Sequence, residues 1–179
     1  RGAAKSAHAG RFLVYFTGIG VGFIFLEIAL MQKLTLLLGQ PLYSIVVTLF
    51  SILIFTGTGS FISGPLLKGG AMVARMIPVG IGIMAVAIVM FSDQIVASVI
   101  AEDLMMRALV AGAMTAPLAL LLGMPVAHGV SLLRKLSPSF VPWAWAVNGS
   151  ASVVGSVFTV IVSMNFGFSF VLIAAIFAY

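Results

Sequence analysis

The stretch FLVYFTGIGVGFIFLEIALMQKLTLLLGQP, Phe12 to Pro41, decides the fold class. From Phe12 to Leu26 it carries no charge, and its strongly polar residues, Glu27, Gln32 and Lys33, all fall in the second half. A helix that crosses a bilayer needs about 20 mostly apolar residues, and this run supplies them before Gly39-Gln40-Pro41 forces a turn. The rest of the chain has the same character. Of 179 residues, 62% are hydrophobic and 7% charged, and the mean hydropathy is +1.26. Soluble domains are roughly 25% charged, and a water-soluble fold of this size could not hide so much apolar surface. The expectation is an all-α integral membrane protein with the bilayer as its solvent.

Further spans follow by the same reading. A second runs from about Leu42 to Ser63 and stops at Gly64-Pro65, and a third from about Met72 to Phe91. Ser92 to Asp103 is more polar and reads as a short interfacial helix. A fourth span runs from about Leu104 to Leu122, where Gly123-Met124-Pro125 predicts a break. Val126 to Leu136 then forms a short amphipathic piece. A fifth span covers about Pro142 to Met164, and a sixth begins near Phe168 and is cut off at Tyr179. The expectation is one bundle of about six helices over 12–179, the last truncated. Residues 1–11, small and basic, read as a linker from a missing upstream part.

Charge sets orientation. Arg1, Lys5, Arg11, Lys68, Arg75, Arg134 and Lys135 fall on the N-terminal side; Lys33 and Arg107 fall opposite, with Asp93, Glu102 and Asp103. Seven against two predicts a cytoplasmic N-terminus. Arg75, Arg134, Lys135, Trp143 and Trp145 are then anchors at that interface. The formal net charge of +5 belongs to helix ends, so no nucleic-acid partner is expected.

The chemistry-bearing residues are few. Glu27 lies deep in the first span, where an ionisable group must face protein or water. It reads either as a proton or cation relay or as a buried structural carboxyl. Lys33 is six residues away, about 9 Å along the axis, and is no obvious partner. With Gln32 and Asn148, Glu27 forms the candidate intramembrane polar site. Small residues at helical spacing, Gly18 and Gly22, Ser60 and Gly64, Ser152 and Ser156, read as helix-packing stripes.

Gly57-Thr58-Gly59 and Gly18-Ile19-Gly20 do not fit a phosphate-binding loop. There are no cysteines, and His8 and His128 stand alone, so neither a metal site nor a cofactor is expected. No nucleophile–base–acid arrangement can be assembled, and the chain is not expected to be an enzyme.

Three segments carry a family resemblance: Gly22 to Lys33 (GFIFLEIALMQK) followed by Leu38-Gly39-Gln40-Pro41, then Gly123-Met124-Pro125, and Val141 to Val153 (VPWAWAVNGSASV). Together they resemble the C-terminal membrane region of bacterial polytopic proteins fused to a spermidine-synthase-like domain. The resemblance implies an upstream Rossmann domain, a bacterial inner-membrane location and a transporter-like label. Aminopropyl transfer would belong to that upstream domain and to no residue of this sequence. Three functions are then open: an anchoring or accessory part of a larger membrane assembly, packed against other membrane subunits; a transporter-like domain for a small cationic or amine compound, with Glu27 in a polar path; or the membrane anchor of an aminopropyltransferase-like enzyme.

Overall fold

The computed structural model describes residues 2–66 and 71–179, with side-chain surroundings for 10–66 and 72–179. It is helical almost throughout: α1 (Gly2–Leu38), α2 (Pro41–Leu66), α3 (Ala71–Val99), α4 (Leu104–Leu136), a one-turn 3-10 segment (Pro138–Phe140), α5 (Val141–Phe166) and α6 (Phe168–Ala178). Among the described residues, five helices are long and apolar enough to cross a membrane. With no water in the bilayer core, a helix satisfies its backbone groups internally, which is why apolar runs fold this way. The two sharpest reversals, at Gly39 and Gly167, use φ of +77° and +81°, values that side chains with a Cβ rarely adopt.

Four boundaries differ from the sequence expectation. The basic opening segment is helical from Gly2 and continuous with α1. Ser92 to Asp103 forms no separate interfacial helix. Instead α3 continues to Val99, because Ser92 and Asp93 are engaged by Lys33 from α1, and only the last four residues turn. Asp103 then caps α4, its carboxylate accepting the Met106 N–H at 2.8 Å. Gly123-Met124-Pro125 does not break α4, which runs on to Leu136 and takes in the expected amphipathic piece. At this point α4 is tied to α1, the Tyr15 hydroxyl donating to the Pro125 carbonyl at 2.7 Å. Similarly, Pro65 lies inside the last turn of α2. Lys68 lies outside the described residues.

Successive helices alternate in direction. Contacts confirm the resulting parallel pairs: on α2 and α4, Ser51, Thr56 and Gly59 meet Gly112, Gly123 and Leu120, and on α1 and α5, Gly20 and Ile24 meet Asn148 and Gly155. Helix α1 packs against all five other helices. Its Leu26, Ala29 and Leu30 are buried in the main core with Ile52, Ile81 and Leu118. Large apolar side chains such as Phe61, Met164 and Phe177 face outward, as a lipid-solvated bundle requires.

The packing stripes divide on inspection. Gly18 abuts the Ala178 carbonyl, and Gly22 meets the Tyr179 ring. Ser152 donates to the Gly20 carbonyl across the α1–α5 interface at 3.0 Å. Ser156 bonds only within its own helix, to Val153 at 2.7 Å. Ser60 has an exposed side chain but its backbone nitrogen meets Gly123 of α4, whereas Gly64 faces open space and makes no close approach. The α2–α4 contact runs instead through Gly59 and Gly123, whose Cα atoms lie against the partner's backbone at Leu120 and Thr56.

This packing makes a direct prediction. Gly59→Leu and Gly123→Leu should each destabilise the bundle by about 1–3 kcal/mol or more, because the obstructing atoms are backbone and cannot swing aside. Gly64→Ala should be close to neutral. Thermal unfolding in detergent compares the three, and equal midpoints would remove the proposed α2–α4 contact.

Candidate functional site

The basic and acidic residues gather at the bundle's two ends. Arg11, Arg75 and His128 line a cavity of about 510 Å³ at one end, and Arg134, Lys135 and Trp145 line a neighbouring groove. Trp143 and Trp145 are both exposed there. At the other end Lys33 donates to Ser92 Oγ at 2.8 Å and pairs with Asp93 at 3.6 Å. Arg107 reaches the Leu37 carbonyl at 3.4 Å, beside the C-terminus of α1. The cationic groups of α1, α3 and α4 are thus held at the ends, away from the middle.

Glu27 lies in that middle, half-buried on α1. Among the described residues no hydrogen bond or ion pair closes on its carboxylate, and the Lys33 ammonium is committed to Ser92 and Asp93. Gln32 is exposed and takes no part. Asn148 is half-buried on α5, its Oδ1 buried without a partner and its backbone carbonyl accepting the Ser152 hydroxyl at 3.0 Å. It meets Gly20, two turns of α1 from Glu27, or about 10 Å along the axis. The expected trio of Glu27, Gln32 and Asn148 is therefore not one site. Seven residues of α1 separate the levels of two of them, and the third turns outward.

At the level of Glu27 the neighbouring helices α2, α4 and α5 carry buried threonines. The Ser44 hydroxyl of α2 donates to the Met31 carbonyl. One turn further along each of these antiparallel helices, Thr48 stands level with Glu27. On α5, Gly155 meets Val21 and Ile24, and one turn on in the same direction Thr159 stands level with Ile28. On α4, Gly129 meets Tyr15 and Phe16 at one end, and Arg107 meets Leu37 at the other. Counting inward from either contact brings Thr115 level with Ala29. The three threonines thus share one layer with Glu27, within about 3 Å of axial rise. All three have 0% exposure.

Their hydroxyls are not equivalent. Thr115 Oγ1 donates to the Ala111 carbonyl at 2.6 Å, and Thr159 Oγ1 donates to the Gly155 carbonyl at 2.8 Å. Each keeps its oxygen lone pairs free. Thr48 Oγ1 has no partner at all, which is uncommon for a buried hydroxyl. The level thus holds one carboxyl group and three hydroxyls. It contains no nucleophile with an adjacent base. Among the described residues there is no group of three or more His, Cys, Asp or Glu that could ligate a metal ion.

Sequence reading passed over these threonines because isolated hydroxyls are common in membrane helices. The available signal was the four-residue spacing of Ser44 and Thr48 on α2 and of Gly155, Thr159 and Ser163 on α5, which keeps them on one face. Comparison with known proteins adds no identification: no family model matches the chain, and neither a curated protein nor a solved structure matches it.

Two substitutions separate the layer from ordinary packing. Glu27→Gln should change stability by no more than about 1 kcal/mol, since the amide keeps shape and bonding capacity. Glu27→Lys should prevent assembly, because it sets a cation in the middle of the bundle with no acid on the adjoining turns. Yield and monodispersity in detergent read both outcomes. A well-assembled Glu27→Lys protein would mean that the side chain escapes to water or lipid headgroups.

Proposed function

We propose that this chain is a non-enzymatic membrane bundle that acts as an anchoring or accessory part of a larger assembly. On this reading it sits in a bacterial inner membrane with its N-terminus cytoplasmic and other membrane subunits as neighbours. The observation that supports it is the closure of the interior by backbone-level contacts. Helices α2 and α4 meet at Gly59 and Gly123, and α1 and α5 meet at Gly20 and Gly155. A helix that packs against every other helix suits a rigid scaffold, whereas a carrier needs one half to rock against the other. The cavities described above lie at the ends of the bundle.

A second reading, a transporter-like domain for a small cationic or amine compound, is favoured by one observation. Glu27 and the Thr48 hydroxyl are both without partners in the same layer. The resemblance to the spermidine-synthase-like membrane proteins supports either reading, since it implies a membrane region joined to a soluble domain on the cytoplasmic side.

Orientation is tested by fusing a compartment reporter after Lys135 and, separately, at Asp103. The first should read cytoplasmic and the second external; reversed labelling would overturn the orientation. Function is tested in liposomes loaded with a pH-sensitive dye, with and without spermidine as the amine. The anchoring reading expects no amine-driven proton movement above that of empty liposomes. A flux that Glu27→Gln abolishes would replace it with the transporter reading.

A further inference from the structure

We propose that the groove between α2, α4 and α5 at the basic end of the bundle is a binding site for an anionic phospholipid. Arg134 and Lys135, in the last turn of α4, both line this groove of about 520 Å³. The sequence has four acidic side chains, Glu27, Asp93, Glu102 and Asp103. Glu27 lies in the middle of α1, and the other three lie near the end of α3 and the start of α4, at the opposite end of the bundle. No acidic side chain of the sequence is therefore placed to neutralise the groove. Its two cations are open to an anion from outside the chain, and basic side chains at a membrane surface attract anionic lipid.

The rest of the lining selects a lipid over a soluble anion. Along α4 the groove runs from Lys135 inward to Val126, or about 14 Å of helix. Arg134, Lys135 and Ser131 lie towards its mouth, whereas Val130, Ala127 and Val126 line the deeper part. Trp145, about one turn into α5, lines it as well, and indoles favour the headgroup level of a bilayer. Ser60 is the contribution of α2. The groove exists because α2 and α5 each contact α4 while forming no interface of their own among the described residues. A charged mouth over an apolar floor matches a phosphate joined to an acyl chain. The guanidinium and ammonium donate to phosphate oxygens, and the valines and alanine cover methylenes; inorganic phosphate would use the mouth alone. The inference is independent of the anchoring reading, because a bound lipid suits a static bundle as well as a carrier.

Trp145 provides the readout. The chain has two tryptophans, and Trp143 lines a different, apolar pocket with Phe12 and Phe140. Trp143→Phe therefore leaves a single indole, in the groove. This variant is reconstituted into vesicles of equal phosphatidylglycerol and phosphatidylcholine, with bromine near the carboxyl end of the acyl chains of one lipid or the other. Brominated chains quench an indole only near contact, so the two mixtures compare occupancy of the groove. Phosphatidylglycerol should be preferred by about tenfold. Arg134→Gln with Lys135→Gln should bring the preference close to parity. Arg75→Gln, which removes a charge from the other cavity at the same end, should leave it unchanged. If the double variant does not assemble, Ala127→Leu decides: it fills the apolar floor, keeps every cation, and should also remove the preference. Equal quenching by the two lipids, or a full preference in Ala127→Leu, would overturn the proposal. So would an equal loss in Arg75→Gln, since the attraction would then be diffuse surface charge. A preference lost in phosphate buffer but kept in chloride of the same ionic strength would also overturn it, assigning the mouth to a soluble anion.

Discussion

Lipid tails are as apolar as leucine, so helices in a bilayer gain nothing simply by hiding from their solvent. They associate through van der Waals contact and a few interhelical hydrogen bonds, and both require backbones to come close. In this chain that approach happens where a side chain is missing. Gly59 and Gly123 let α2 and α4 touch backbone to backbone, and Gly20 lets α1 meet the Asn148 carbonyl of α5. The Ser152 hydroxyl closes the second contact at 3.0 Å by donating to Gly20. Gly18 and Gly22 receive the end of α6 in the same way. The position of everything else depends on these contacts.

Because the contacts fix height as well as distance, they also fix what lies level with what. Helix α1 carries the one acidic residue in the middle of the bundle, and its neighbours each bring a buried hydroxyl to that level. The same contacts send the other charges to the ends. Lys33 with Asp93 and Arg107 with the end of α1 occupy one end, and Arg11, Arg75, Arg134 and Lys135 line cavities at the other. The result is a bundle with charged ends and one carboxyl group midway between them.

The fold class was legible in the sequence because apolar length is a one-dimensional property. A run such as Phe12–Leu26 has no other stable home than a membrane helix or a large core. Punctuation was less legible. Gly39-Gln40-Pro41 and Asn165-Phe166-Gly167 do turn the chain, whereas Gly123-Met124-Pro125 stays helical, with Gly123 packed against the backbone of α2 and the Pro125 carbonyl accepting the Tyr15 hydroxyl. Gly64 looked like a packing residue and faces open space, while Gly59, five positions earlier, makes the contact. Spacing along one helix specifies a stripe but not which neighbour it meets. Glu27 stood out by its chemistry; the threonines beside it did not, because their significance lies in the registers of α2, α4 and α5 against α1, and register is a tertiary property.

The central claim is therefore the register that brings Thr48 and Thr159 level with Glu27. The chain has no cysteine, so introduced pairs report without background. A disulfide forms only where Cβ atoms come within about 3.5–4.5 Å. Under mild oxidation in membranes, Glu27→Cys paired with Thr48→Cys should cross-link readily, and Glu27→Cys with Thr159→Cys should do so on the α5 side, while Gln32→Cys with Thr48→Cys should not. Efficient cross-linking of the Gln32 pair, with neither Glu27 pair reacting, would show that α1 is turned or shifted against its neighbours and that the polar layer does not exist.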